Sequence, residues 1–170
     1  YAVTKTSLGQ DEDDPLTMVL HREPDGDWHD YEYGTVEYGL TRAVLLIDDE
    51  NQQLYVFAAS NNVSNQQDAI YYKVTDLDDI NFESGLGTPF ILSDDDQQVN
   101  NPTSTKQCIN GQTGLLVLAS DKSERTYLHN YLDINRKPIV TSFSPELGPA
   151  NTTVTLTGKL FSGATSIVFN

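Results

Sequence analysis

Short apolar and β-rich runs, bounded by polar turn residues, recur along nearly the whole chain, alternating apolar with polar residues near its end, and almost nothing carries the spacing of an amphipathic helix. In "NTTVTLTG", Val154 and Leu156 fall on one side and Thr153, Thr155 and Thr157 on the other, because successive strand side chains point to opposite faces. Short β-rich runs between Gly, Asn, Asp and Pro clusters predict strands in "YAVTKTS", "LTMVLHRE", "DWHDYEYG", "TRAVLLID", "QLYVFAAS", "AIYYKVTD", "TPFILS", "TSTKQCIN", "GLLVLASD" and "RTYLHNYL". A last strand alternates Ala164, Ser166 and Val168 with Thr165, Ile167 and Phe169. Turn chemistry separates the runs: Asp25 and Gly26 suit a tight hairpin, "DDENQQ" offers Asx turns, and Gly111 and Gly114 flank a bend. The fold class this predicts is all-β.

The runs fall into groups. Residues 2 to 34 hold three, 41 to 92 four and 102 to 132 three, and each group opens on a short strand rich in Thr and carrying a cation: "TKTS", "TRAV", "TSTKQ". The period, about 45 to 50 residues, is that of β-propeller blades. A middle run in each group is the most apolar, as a blade strand buried on both faces requires. A sandwich with evenly spaced strands is the competing arrangement.

Composition narrows the partners. The 170 residues include 25 acidic and 10 basic ones, a formal charge of -15, with 38% hydrophobic content. No basic stripe exists to neutralise phosphates, which excludes a nucleic-acid partner, and the same charge disfavours anionic lipid. No apolar run approaches the ~20 residues that span a bilayer, so no membrane insertion is expected. The first residues, "YAVTKTS", read as mid-strand rather than as a signal peptide. Cys108 is the only cysteine; it rules out an internal disulfide and reads as a small buried strand residue rather than a reactive thiol.

Two segments resemble known families. "KPIVTSFSPELGPANTTVTLTGKLFSGATSIVFN", residues 137 to 170, resembles the opening of a TIG (IPT) domain, an immunoglobulin-like module, in its Pro-x-Val start, Gly-Pro turn, Thr-Val-Thr-Leu-Thr-Gly strand and Phe-Ser-Gly-Ala-Thr hairpin. The resemblance implies a sandwich of which only the first part lies here, so the polypeptide is expected to continue beyond Asn170. "TRAVLLIDDENQQLYVFAAS", "IYYKVTDLDDINFESGLGTPFI" and "NNPTSTKQCINGQTGLLVLASD" resemble the C-terminal blades of secreted bacterial sialidase-like and polysaccharide-lyase-like β-propellers. The sialidase Asp-box is absent as such; "PDGDWHDY" keeps only Asp25, Gly26 and Trp28. The domains expected are therefore 1–136, an incomplete propeller of about three blades, and 137–170, an incomplete immunoglobulin-like sandwich. "DINRKP" (133 to 138) is the expected junction, because Pro138 cannot donate to a ladder. Completion would come from the remainder of a larger polypeptide or from another chain.

Candidate chemistry begins with the scarce cations. Lys5, Arg42, Lys73 and Lys106 stand out, and three lie in the Thr-rich opening strands, which in a propeller line the central channel. There they would converge on a carboxylated or sulfated sugar; the plainer reading pairs each with a neighbouring acid. His129, with His21, His29 and Tyr31, Tyr33, Tyr71, Tyr72 and Tyr127, is the sort of set a lyase uses for proton abstraction, or a group of strand residues with one polar tip. No His spacing suits zinc. The clusters 11 to 14, 76 to 79 and 93 to 96 are solvated loop tips or, with Asp94, Asp95 and Asp96 as the candidates, calcium ligands without EF-hand spacing. No other cofactor is implied. Asn62-Val63-Ser64 and Asn151-Thr152-Thr153 match the glycosylation triplet.

These readings lead to an extracellular or cell-surface protein acting without catalysis in adhesion or carbohydrate binding. The alternatives are part of a glycoside hydrolase or polysaccharide lyase, and a structural subunit of a surface fibre whose exposed strand edges accept strands from another chain.

Overall fold

The computed structural model describes residues 1–9, 11–60, 68–92, 98–134, 139–159 and 161, without the side chains of Ile139 and Lys159. Expectations for Asn62-Val63-Ser64, Asp94 to Asp96, the junction residues 135 to 138 and the strand at 164 to 169 lie outside the described residues. The chain is all-β: the described residues form small antiparallel sheets and no helix. It divides into two compact units, Tyr1–Ile134 and Asn135–Asn170.

In the first unit, strands β1 (Ala2–Lys5), β2 (Pro15–Arg22) and β3 (Trp28–Thr35) form one sheet. Strands β4 (Leu40–Asp48), β5 (Gln53–Ser60), β6 (Ala69–Asp76) and β7 (Thr88–Leu92) form a second, and β8 (Val99–Thr103), β9 (Leu115–Asp121) and β10 (Thr126–Leu132) a third. Within each sheet the strands pair with their neighbours in sequence, so every sheet is a meander; the first two groups of runs are the first two sheets, and the third group supplies β9 and β10 of the third.

The turns follow from their residues. Asp27 N–H donates to Asp25 Oδ1 (3.1 Å) in the β2–β3 hairpin. Asn51 donates its backbone N–H to Asp48 Oδ1 (3.0 Å) and its side-chain amide to Asp48 Oδ2 (2.6 Å) after β4. Before β9, Asn110 Oδ1 accepts the amides of Gln112 and Thr113, and Gly114 takes the left-handed φ of 63° that closes the bend.

Packing explains why β5 is the most apolar run. All eight of its residues are buried. Leu54, Val56 and Ala58 face the first sheet and pack with Val19, Tyr33 and Leu40. Tyr55, Phe57 and Ala59 face the third and pack with Ile70, Phe90, Val99, Leu115 and Val117. Each large apolar side chain so buried contributes about 1.5–3 kcal/mol. The central strands of the outer sheets are covered on one side only: Val19 is buried where Met18 and Leu20 are half-buried, and Val117 is buried where Leu116 is 46% exposed. Hydrogen bonds tie the layers, among them Thr17 Oγ1 to Leu40 O (2.6 Å) and Tyr33 Oη to Val56 O (2.9 Å).

Two expectations are corrected. The run "TSTKQCIN" is not a strand: β8 lies upstream, and its pairing with β9 ends at Thr103 opposite Leu118. The Thr105 hydroxyl accepts the Gln107 amide (3.1 Å), a local turn that competes with the ladder, and the chain rejoins the second sheet only at Ile109, bridged in parallel to Asp48. Cys108, on that loop, is consequently exposed rather than buried.

In the second unit, β11 (Ile139–Ser144) pairs antiparallel with β12 (Thr155–Lys159), with a register shift between Val140 and Ser142. Thr141 Oγ1 donates to Thr157 O (3.0 Å), and Thr152 N–H closes a turn on Pro149 O (3.1 Å).

Candidate functional site

A polar cleft of about 520 Å³ opens where the second and third sheets meet. Arg42 and Lys122 bring positive charge to its wall, Asp68 brings negative charge, and Gln98, Asn100, Asn101 and Ser120 supply amide and hydroxyl groups. Two backbone irregularities build it. The β4–β5 register shifts between Thr41 and Val44, and the β8–β9 register shifts between Asn100 and Thr103. Within these bulges Arg42 and Asn101 each adopt a left-handed φ of 52°. For a residue with a side chain that conformation costs about 1–2 kcal/mol, least for Asn, and bulges of this kind re-aim side chains.

The bulges are joined by a polar network. Arg42 Nη1 donates to Asn100 Oδ1 (3.1 Å), which also accepts the Asn101 N–H (2.9 Å). Asn101 Nδ2 donates to Ser120 Oγ (3.1 Å), and the Ser120 hydroxyl donates to Asn100 O (3.1 Å). The wall residue Gln98 is held by Asp121, whose Oδ1 accepts the Ser123 hydroxyl (2.6 Å) and the backbone amide of Gln98 (3.2 Å). The Ser123 hydroxyl holds the Asp121 carboxyl below the usual carboxylate range; burial opposes the shift, and the Gln98, Ser123 and Glu124 amides reinforce it.

The residues singled out from sequence are distributed differently. Arg42 lines the cleft, joined there by Lys122 rather than by Lys5 or Lys106. Lys5 is exposed at the end of β1, and Lys106 is exposed on the loop after β8. Lys73 is 7% exposed: its Nζ donates to Tyr33 O (2.7 Å) and lies 5.0 Å from the centre of the Tyr33 ring. Burial holds its pKa below the ordinary lysine value, against the raising influence of Glu32 and Glu83.

His129 lies on β10 in a separate groove of about 470 Å³ between β7 and β10, with Tyr127 and Phe90. His21 stacks on Tyr1 (4.2 Å between ring centres) beside Glu23, and His29 stands opposite it across the β2–β3 pair. Tyr33 is buried, which raises its pKa, and Tyr72 packs on Phe57 and Phe90. No His or Tyr therefore joins Arg42 in the cleft wall. Among the described residues no three His, Cys, Asp or Glu side chains are grouped to hold a metal.

Sequence reasoning missed Asn100, Asn101, Ser120 and Lys122. The one available signal was Asn-Asn ahead of Pro102, since Asn is the side-chain-bearing residue that best tolerates the left-handed region. No protein-family model matches the chain, and no curated protein or solved structure matches it.

Proposed function

We propose that the chain is a non-catalytic carbohydrate-binding part of a secreted or cell-surface adhesion protein, built as three blades of a β-propeller followed by the start of a TIG-type immunoglobulin-like domain. The propeller reading is supported by three meander sheets stacked face to face in chain order, the middle one buried on both faces. Other sheets, from a larger polypeptide or from another chain, would complete the structure.

The observation that carries the binding function is the polar cleft around Arg42. Its amides and hydroxyl match the hydroxyl groups of a sugar, and Arg42 with Lys122 matches a sugar carboxylate or sulfate through charge-assisted hydrogen bonds.

Calorimetry with an oligomer of uronic acid and with a neutral glucan oligomer tests it. The acidic oligomer should bind, weaken with added salt, and bind less to Arg42→Ala, which should leave the neutral oligomer unaffected. Failure of the acidic oligomer to bind at low salt, or its cleavage during incubation, would overturn the proposal.

A further inference from the structure

Edge strands left unguarded pair with other strands, and most edges here carry a guard. β7 contains Pro89 and a register shift between Ile70 and Tyr71; β8 contains Pro102 and a bulge. β1 is four residues long and ends in Lys5, and β3 carries Asp30 and Glu32. β10 has none of these. Its sequence, TYLHNYL, lacks proline and charged residues, and its register with β9 is unbroken from Thr126 opposite Asp121 to Leu132 opposite Leu115. Among the described residues no strand pairs with its other edge.

The sequence around His129 says what fits that edge. Read outward from His129 it is nearly symmetric: Tyr127 and Tyr131 lie two residues away on either side, Thr126 and Leu132 three, Arg125 and Asp133 four. Two copies of β10 placed antiparallel, with the two-fold axis at His129, set Tyr127 of each against Tyr131 of the other.

We propose that the chain forms a two-fold dimer by pairing β10 with β10 of a second copy, joining two third sheets into one six-stranded sheet. Aromatic pairs directly across a ladder are favourable ones. Tyr127 and Tyr131 are 76% and 53% exposed in the single chain, and Leu116 beside Tyr131 extends the same apolar stripe. The Tyr131 amide is held by Asn130 Oδ1 (2.8 Å), which marks residues 127, 129 and 131 as those whose backbone groups face away from β9. In the dimer the groups of residues 127 and 129 pair with their counterparts, and the Tyr131 N–H passes from Asn130 Oδ1 to the Tyr127 carbonyl of the second copy. The absence of charge within β10 lets the seam close in a chain whose net charge is -15. One strand pair is a small interface, so association is expected in the micromolar range.

Sedimentation equilibrium of the whole 170-residue chain across the micromolar range should show passage from one copy to two. Amide exchange should show protection at Tyr127 and His129 that grows with concentration, without need of any variant. His129→Lys sets two lysines face to face at the axis and should abolish the dimer with circular dichroism unchanged. A chain that stays monomeric, a dimer indifferent to His129→Lys, or protection at these amides independent of concentration overturns the proposal.

Discussion

Lys73 Nζ donates to the carbonyl oxygen of Tyr33 at 2.7 Å, joining the third strand of the second sheet to the outer strand of the first. The ammonium also lies over the Tyr33 ring, so one side chain satisfies a backbone acceptor and covers an aromatic face in a buried position. A cation that would serve a ligand well is thus taken up by packing.

Replacing Lys73 with Met keeps most of the apolar stem and leaves Tyr33 O without its donor. The expected loss is about 1–3 kcal/mol, measured by urea unfolding at neutral pH. Because burial lowers the Lys73 pKa, the unfolded chain binds more protons than the folded one between the lowered value and the ordinary lysine value. Wild type should therefore gain stability relative to Lys73→Met as pH rises through that alkaline window. A gap that stays constant or narrows there would contradict the assignment.

Arg42 offers a test of strain held for function. Arg42→Gly relieves the left-handed conformation and removes the guanidinium, while the added chain entropy of glycine offsets much of the relief, each effect being about 1 kcal/mol. Thermal melting should give a Tm no lower than wild type, alongside lost binding of a uronic-acid oligomer. A clear fall in Tm would assign Arg42 to the fold instead.

Asp121, as a carboxylate, holds the backbone of Gln98 in the cleft wall. Its pKa is depressed in the folded state, so the stability it confers is present above the ordinary aspartate value and is lost as pH falls through the folded one. The Tm difference between wild type and Asp121→Asn should be largest near neutrality and shrink in acid below the usual carboxylate range. A difference independent of pH would mean that the carboxylate charge contributes nothing.

Much of the local structure was legible in the sequence because it is set by local rules. Short runs of β-branched and aromatic residues in "QLYVFAAS" and "AIYYKVTD" mark strands, and Asp25-Gly26 and Asp48 with Asn51 close their turns with their own side chains. The grouping of strands into three sheets was legible too, since short connections pair neighbours. β8 was not: Asn-Asn-Pro reads as a turn, yet an edge strand tolerates Pro102 and the bulge tolerates a left-handed Asn101.

The site lay further still from view. Lys5, Arg42, Lys73 and Lys106 look alike in sequence, and strand parity, inter-sheet packing and loop geometry separate them: Lys73 turns toward Tyr33, Lys106 sits on a loop, and Arg42 meets Asn100 of another sheet across 58 positions of chain. Sequence alone determined that this is a β protein and where most of its described strands and tight turns lie, because backbone geometry and adjacent side chains decide those. Which cation meets which partner was decided only by the tertiary structure, because a contact between sheets depends on register and bulges, and the residues that set them are far apart in the chain.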